Sequence, residues 1–143
     1  MQVHEVMSRS VEVVGPDATL EEAARRMRER NVGLLPVCDG DRLLGMITDR
    51  DIAIRGIAEG KDPRTTPVRE AMTPEVIWVF EDADVQEAAQ LMEENEVRRV
   101  VVLNHDKRLV GVVSLDDIAA RAGEQRLAGE VLQQVAPPAE TRS

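Results

Sequence analysis

The residues best placed to do chemistry are a hydroxyl and a carboxylate three positions apart, and the pair occurs twice. The first copy lies in Gly45-Met46-Ile47-Thr48-Asp49-Arg50-Asp51-Ile52-Ala53 and the second in Gly111-Val112-Val113-Ser114-Leu115-Asp116-Asp117-Ile118-Ala119. In each, an apolar run ends at the Thr or Ser and an acid follows three residues on, the pattern of a strand turning into a helix. Residues three apart on a helix share a face, so Thr48 with Asp51, and Ser114 with Asp117, can point at one ligand. Free N–H groups and the positive end of the helix dipole favour an anion such as phosphate there. The same spacing is also that of a capping box, in which hydroxyl and acid serve only the helix backbone. Both readings stand at this point.

Little else in the chain offers reactive chemistry. The two histidines, His4 and His105, sit in terminal and loop positions. No Ser-His-acid set or nucleophile elbow is present, so catalysis is not expected. Two His and one Cys, far apart, have no metal-ligand spacing, so no metal and no required cofactor are expected. Cys38 lies in an apolar run and has no internal disulfide partner, which points to a buried thiol in a reducing compartment. The first ten residues lack the apolar core of a signal peptide, and no apolar run approaches a membrane span. A cytoplasmic location without membrane attachment follows as the expectation. A net charge of −9 and only two aromatics, Trp78 and Phe80, disfavour nucleic-acid binding.

The elements that must position the two pairs come from an internal repeat. Val3-His4-Glu5-Val6-Met7 matches Val68-Arg69-Glu70-Ala71-Met72 at an offset of 65 (3 to 68). Glu22-Ala23-Ala24 and Met27 match Glu87-Ala88-Ala89 and Met92 in the same register. The offset becomes 66 at Gly45 and Gly111, after one extra residue in the polar loop 104–108. Each repeat reads as strand, helix, strand, strand, helix. In the first, these are 11–14, a helix from Thr19 with Leu20, Ala23, Ala24 and Met27 on its apolar face, 34–38, 43–48, and a helix over 50–58. Thr19 and Glu22 form a candidate capping box. Arg25, Arg26, Arg28 and Arg30 lie mostly off the apolar face. In the second repeat they are 76–80, 84–95, 100–103, 109–113 and 116–122. Residues 1–60 thus form one repeat, 61–67 a polar linker with two prolines and 68–123 the other. Residues 124–143 hold a further helix over 124–135 and a disordered tail.

A unit this small exposes an apolar sheet face that it cannot bury alone. The expected fold is therefore α/β (α+β), with two β-α-β-β-α units packed sheet to sheet about a pseudo-two-fold axis and clefts near the strand-to-helix junctions. The doubled Gly-h-h-Thr/Ser-x-x-Asp-Ile signature (h, apolar) resembles that of the CBS-domain pair, or Bateman module. So do Glu5-Val6-Met7, Glu70-Ala71-Met72, the run from Asn31 to Val37 and the run from Glu96 to Val102. The likeness spans residues 3–123 and is to the stand-alone bacterial type, some members of which are linked to stress or hypoxia.

That resemblance implies a regulatory sensor of an adenosine ligand: AMP, ADP, ATP, S-adenosylmethionine or occasionally NAD. It implies that Asp51 and Asp117 accept from ribose hydroxyls, with Thr48 and Ser114 near phosphate or ribose. It implies Val11, Val13, Val76 and Trp78 around adenine, and Arg98 or Arg99 on phosphate. Arg98-Arg99 in the second repeat stands against Gly33-Leu34 in the first, so the two sites differ in charge. Val101 replaces the family's usual proline, and Trp78 a small hydroxyl residue. The competing reading is a ligand-free dimeric scaffold of the stress-response type. Apolar surface on Ile52, Ala53, Ile54, Ile57, Ala58, Ile118 and Ala119 leads to an expected C2 homodimer. A regulated partner protein would be unknown.

Overall fold

The computed structural model describes residues 1–122. The helix expected over 124–135 and the tail lie outside the described residues. The chain is mixed α+β with two small sheets. Its elements are α1 (Leu20–Arg30), β1 (Leu34–Asp39), β2 (Arg42–Thr48), α2 (Asp49–Asp51), β3 (Trp78–Phe80), α3 (Val85–Asn95), β4 (Arg99–Leu103), β5 (Leu109–Ser114) and α4 (Leu115–Asp117).

Two compact units result, and they are offset from the sequence repeats. The inner unit is Glu12–Val76; the outer unit combines Met1–Val11 with the described residues from Ile77 on. The reason lies in the apolar residues of two short 3-10 turns. Val3, Val6 and Met7, in and after the turn Val3–Glu5, are buried with Val79, Val85, Ala88, Met92, Val102 and Ile118. Val68 and Ala71, at the turn Val68–Glu70, are buried with Leu20, Ala23, Leu35, Val37 and Ile47. Each opening segment therefore closes the core of the unit built from the other repeat. Residues 61–67, expected as a linker, run along the start of α1. There the carbonyls of Thr66 and Pro63 take the Leu20 and Glu21 N–H groups at 3.0 and 2.9 Å. These are two of the donors a helix leaves open at its start.

The inner sheet is the antiparallel hairpin β1–β2; the outer sheet has the order β3-β4-β5, with β3 parallel to β4 and β4 antiparallel to β5. The expected strand over 11–14 forms only at Val14, which bridges Val37. Ahead of it Glu12 turns to Arg26 and Arg30 at 3.2 and 2.9 Å, and the Val13 carbonyl accepts from Arg26 at 2.8 Å. Side-chain ion pairs thus replace the ladder. The strand expected over 76–80 is confined to β3.

Both signature glycines admit a neighbouring backbone. A Cβ on Gly45 would lie 2.6 Å from the Thr73 carbonyl oxygen, and one on Gly111 would lie 2.7 Å from that of Ser8. The close approach permits paired backbone bonds, Met46 with Thr73 (2.8 and 2.8 Å) and Val112 with Ser8 (2.9 and 2.8 Å). The signature glycine is thus where the opening segment is stitched to its unit.

Two helical expectations need correction. The helix after Thr48 is one α turn, then a π-helical stretch, Ile52–Gly56, and a 3-10 turn, Ile57–Glu59; α4 likewise passes into a π stretch, Ile118–Ala122. On α1, Leu20, Ala23 and Met27 are buried but Ala24 is exposed. With Met27, Ile52, Ala53 and Ile57 it lines a shallow groove of about 410 Å³. In α3 all four expected residues, Val85, Ala88, Ala89 and Met92, are buried. The Thr19 box is half made. Thr19 Oγ1 accepts from the Glu22 N–H at 3.1 Å, while the Glu22 carboxylate goes to Arg26 at 3.1 Å.

Candidate functional site

Each strand-to-helix junction is set by the same local chemistry. Thr48 and Ser114 are extended N-cap residues at the ends of β2 and β5. Thr48 Oγ1 accepts from the Asp51 N–H at 3.0 Å, and Asp51 Oδ2 accepts from the Thr48 N–H at 3.0 Å. The outer unit repeats this, with Ser114 Oγ accepting from Asp117 at 3.0 Å and Asp117 Oδ2 accepting from Ser114 at 3.1 Å. Both are closed capping boxes. Each box engages Oδ2, and among the described residues no hydrogen bond reaches Oδ1 of either acid. An ionised carboxylate has about four acceptor positions. Both acids are only half-buried. The box therefore fixes the carboxylate while leaving it acceptor capacity, so capping and ligand binding are compatible roles.

The inner carboxylate has a further neighbour. Thr73 Oγ1, from the segment stitched to Gly45, lies 3.5 Å from Asp51 Oδ2. Beside this box stand Leu34, paired with Thr48 across the hairpin, and Gly33, whose carbonyl accepts from the Asp49 N–H at 2.9 Å. The Asp49 carboxylate lies 3.1 Å from where a Cβ on Gly33 would be. The inner junction is thus acidic.

In the outer unit Arg99 is paired with Ser114, and the Arg98 carbonyl accepts from the Leu115 N–H at 3.0 Å. Trp78 is paired with Val101, two residues along β4 from Arg99. Directly paired residues, and residues two apart on a strand, share a sheet face. Trp78, Arg99 and Ser114 therefore lie on one face of the outer sheet. Arg98 reaches Asp116 only at 3.8 Å, and among the described residues Arg99 has no carboxylate partner. An unpaired guanidinium beside a helix start is suited to a phosphate.

The candidate residues divide between the units. Val11, Trp78, Arg98, Arg99, Ser114 and Asp117 belong to the outer unit; Val13, Val76, Thr48 and Asp51 belong to the inner one. Val11, Val13 and Val76 lie outside regular strands and are half-buried. Trp78 is held edge-on to Phe80 with ring centres 4.8 Å apart, and Lys107 Nζ lies 6.0 Å over its ring. Sequence reasoning missed the Thr73–Asp51 contact and the acid beside Gly33. The acid was visible in the alignment of Asp49 with Leu115; the threonine lies on a distant segment with no signal at short range.

Cys38 is buried, and burial first, with Asp41 adding to it, pushes its thiol up to about 11. It is an inert core thiol. Among the described residues no group of three or more His, Cys, Asp or Glu could hold a metal ion, and no helix is long and apolar enough to cross a membrane.

Comparison with known proteins places this geometry. The family model for the CBS domain matches residues 3–55 and again 68–124. Hypoxic response protein 1 of Mycobacterium tuberculosis is 44% identical over 124 residues, covering 86% of each chain. The crystal structure of Hypoxic Response Protein I with two coordinated zinc ions has a TM-score of 0.73 at 45% identity, covering 83% of this chain and 97% of that one. CBSX2 in complex with AMP has a TM-score of 0.73 at 26% identity, covering 87% and 98%. The CBS domain pair of MJ0100 with 5′-methylthioadenosine and S-adenosyl-L-methionine gives 0.70 at 29%, covering 87% and 98%. With the family model matched twice and a close relative aligned along most of its length, the chain belongs to the CBS-domain family and carries two CBS domains in tandem.

Proposed function

We propose that this protein is a non-catalytic regulatory module that senses an adenosine-containing ligand, and that the outer unit is the one that takes a phosphorylated form of it. The observation that carries the reading is the grouping of Arg99 with Ser114 across one strand pair and Asp117 in the same box. Asp117 supplies acceptor positions for the ribose hydroxyls, Arg99 with Arg98 a phosphate partner, and Trp78 with Val11 the walls of the base slot. In the inner unit Thr48, Asp51, Val13 and Val76 take the corresponding roles without an arginine from β1. Relatives of the same fold held with AMP or with S-adenosylmethionine support the ligand class.

In this reading the protein works in the cytoplasm as a C2 homodimer, associating through the exposed Ile54 and Ile57 beside the groove at Ala24. No cofactor is required, no nucleic acid or membrane is bound, and the regulated partner is a further protein. Light scattering at micromolar concentration is expected to give the dimer mass.

The test of ligand class is a thermal-shift panel with AMP, ADP, ATP, S-adenosylmethionine and NAD. A ligand at one hundred times its Kd adds about 2.7 kcal/mol, a shift of several degrees for a chain of this size. No shift with any of them at millimolar concentration would leave the second reading, a ligand-free scaffold. That reading draws on the closed capping boxes, which satisfy the helix starts without a ligand.

A further inference from the structure

The two units present one helix face in two different states. In the inner unit the groove between α1 and the helix after Thr48 is lined by Ala24, Ala53 and Ile57, with Arg28 and Asp49 among them. Ile54 and Ile57 are 51% and 54% exposed. Ala24, Ala53 and Ala58 are exposed as well. Aliphatic side chains left in water at adjoining positions mark a surface that another body covers. In the outer unit Ala89, Met92, Leu115 and Ile118, the equivalents of Ala24, Met27, Asp49 and Ile52, are buried in one cluster. The inner face is thus open where the outer one is closed.

The charges around this face also change sign between the units. α1 and α3 match residue for residue at an offset of 65 (28 to 93). Arg28, exposed on α1, corresponds to Glu93, exposed on α3. Asn31 corresponds to Glu96, and Arg50 to Asp116. Asp49 runs the other way, with Leu115 in its place. The inner set of Arg28, Asn31, Asp49 and Arg50 therefore carries a net charge of +1, and the outer set of Glu93, Glu96, Leu115 and Asp116 carries −3. The other arginines of α1, Arg25, Arg26 and Arg30, pair with Glu21, Glu22 and Glu12 of their own unit. Among the described residues Arg28 and Glu93 have no ion-pair partner.

We propose that the groove of the inner unit is covered by the outer unit of a second copy, so that two copies associate head to tail with Arg28 of one facing Glu93 of the other. This arrangement rests on the homodimer proposed above and adds which faces meet. Burial of Ala24, Ala53, Ile54 and Ile57 supplies attraction without direction. The charges then select which face of the second copy sits there, because like charges set together are costly. A two-fold axis makes any inner-to-outer contact occur twice, so both grooves are covered and both acidic faces are matched. Pairing inner with inner would bring two basic faces together over two open grooves. Pairing outer with outer would set Glu93, Glu96 and Asp116 against their own kind.

The decisive experiment is sedimentation equilibrium on the full chain at low ionic strength, where exposed pairs are least screened, with Arg28→Glu, Glu93→Arg and the two combined. Both sites are exposed within helices, where Arg and Glu have similar propensity, so the fold is kept, as thermal melts check. Each single variant turns two attractions per dimer into repulsions and is expected to raise the dimer Kd about five- to thirtyfold. The combined variant restores opposite signs and is expected to return Kd to within about twofold of wild type. Nitrogen-15-labelled wild type mixed with the combined variant is expected to self-sort in native mass spectrometry, because a mixed head-to-tail pair sets Arg against Arg and Glu against Glu. A dimer indifferent to all three variants, or one that prefers mixed pairs, overturns the head-to-tail arrangement while the homodimer stands. So does a combined variant no tighter than the single ones. A dimer weakened by Arg28→Glu but indifferent to Glu93→Arg puts another occupant on the groove, such as residues 124–135, and overturns it as well. A wild-type monomer at micromolar concentration overturns the homodimer and this pairing together.

Discussion

The inner and outer units share a frame and differ in what they present. Both have a closed box at the strand-to-helix junction, a glycine that admits a carbonyl, a buried 3-10 turn and a passage from α into π helix. These features satisfy backbone groups, which the fold cannot leave unpaired. The differences fall on side chains that close no backbone bond. Arg99 stands against Leu34, Leu115 against Asp49, Trp78 against Val13, and His4 against Arg69. A duplicated scaffold thus keeps what its hydrogen bonds require and diverges where it meets ligand or solvent. The outer junction carries Arg98 and Arg99 where the inner one has Gly33 and Leu34, so the two are not expected to bind the same species.

The glycines test the shared part and carry the largest expected effect. Gly45→Val and Gly111→Val each drive a side chain into a carbonyl and break two backbone bonds. Overpacking costs about 1–3 kcal/mol, and the lost bonds add to it. Chemical denaturation is expected to show a loss of about 3 kcal/mol in either unit. A cost in only one unit would break the equivalence.

Next come the arginines, which sharpen the difference. Arg99→Ala removes a charged partner worth about 1.5–3 kcal/mol. It is expected to weaken AMP or ATP roughly ten- to a hundredfold while leaving adenosine nearly unaffected, as titration calorimetry can read. Leu34→Arg is expected to give the inner unit a preference for phosphorylated ligands. Equal losses for AMP and adenosine in Arg99→Ala would remove Arg99 from the phosphate role.

The box residues follow. Thr48→Ala and Ser114→Ala are each expected to cost about 1 kcal/mol of stability, as cap removals do. Asp117→Asn keeps the cap's shape, so apo stability should change little while ligand affinity falls. A stability loss alone, with no ligand effect, favours the scaffold reading.

The smallest effect concerns Cys38, which stands where the outer unit has Leu103. Its thiol is raised in the folded state to about 11. Folding then favours the protonated form. Stability is full below the ordinary thiol value and declines as pH rises from about 9 toward 11. Alkylation at pH 8 is expected to be slow in the native protein and rapid in denaturant. Cys38→Leu should flatten the alkaline decline.

Much of this was legible in the chain because it rests on local spacing. The repeat register placed both boxes, and the apolar residues at Val85, Ala88, Ala89 and Met92 marked the buried face of α3. The family signature named the fold. What escaped depends on distant segments. Nothing near Ala24 announces that no side chain covers it in this unit. Residues 11–13 have strand-forming valines, but Arg26 and Arg30, one helical turn apart on α1, draw Glu12 out of any ladder. The π stretches leave no mark, since Ile52, Ala53 and Ile57 suit either helix. The contact of His105 with Asp82 joins segments 80–82 and 104–108, whose meeting no short-range pattern foretells.

The offset between repeats and packed units has a consequence for how the chain is made. Every segment of the inner core is available once residue 76 has left the ribosome, since Glu12–Val76 is continuous. The outer core cannot close until β5 and α4 emerge more than a hundred residues after Val3. At about 5–20 residues per second, that delay is on the order of ten seconds. Throughout it Val3, Val6 and Met7 ride on the nascent chain without their partners. Residues 3–7 are therefore among the last to find their place, and they stay open to chaperones and proteases longer than any segment of the inner core.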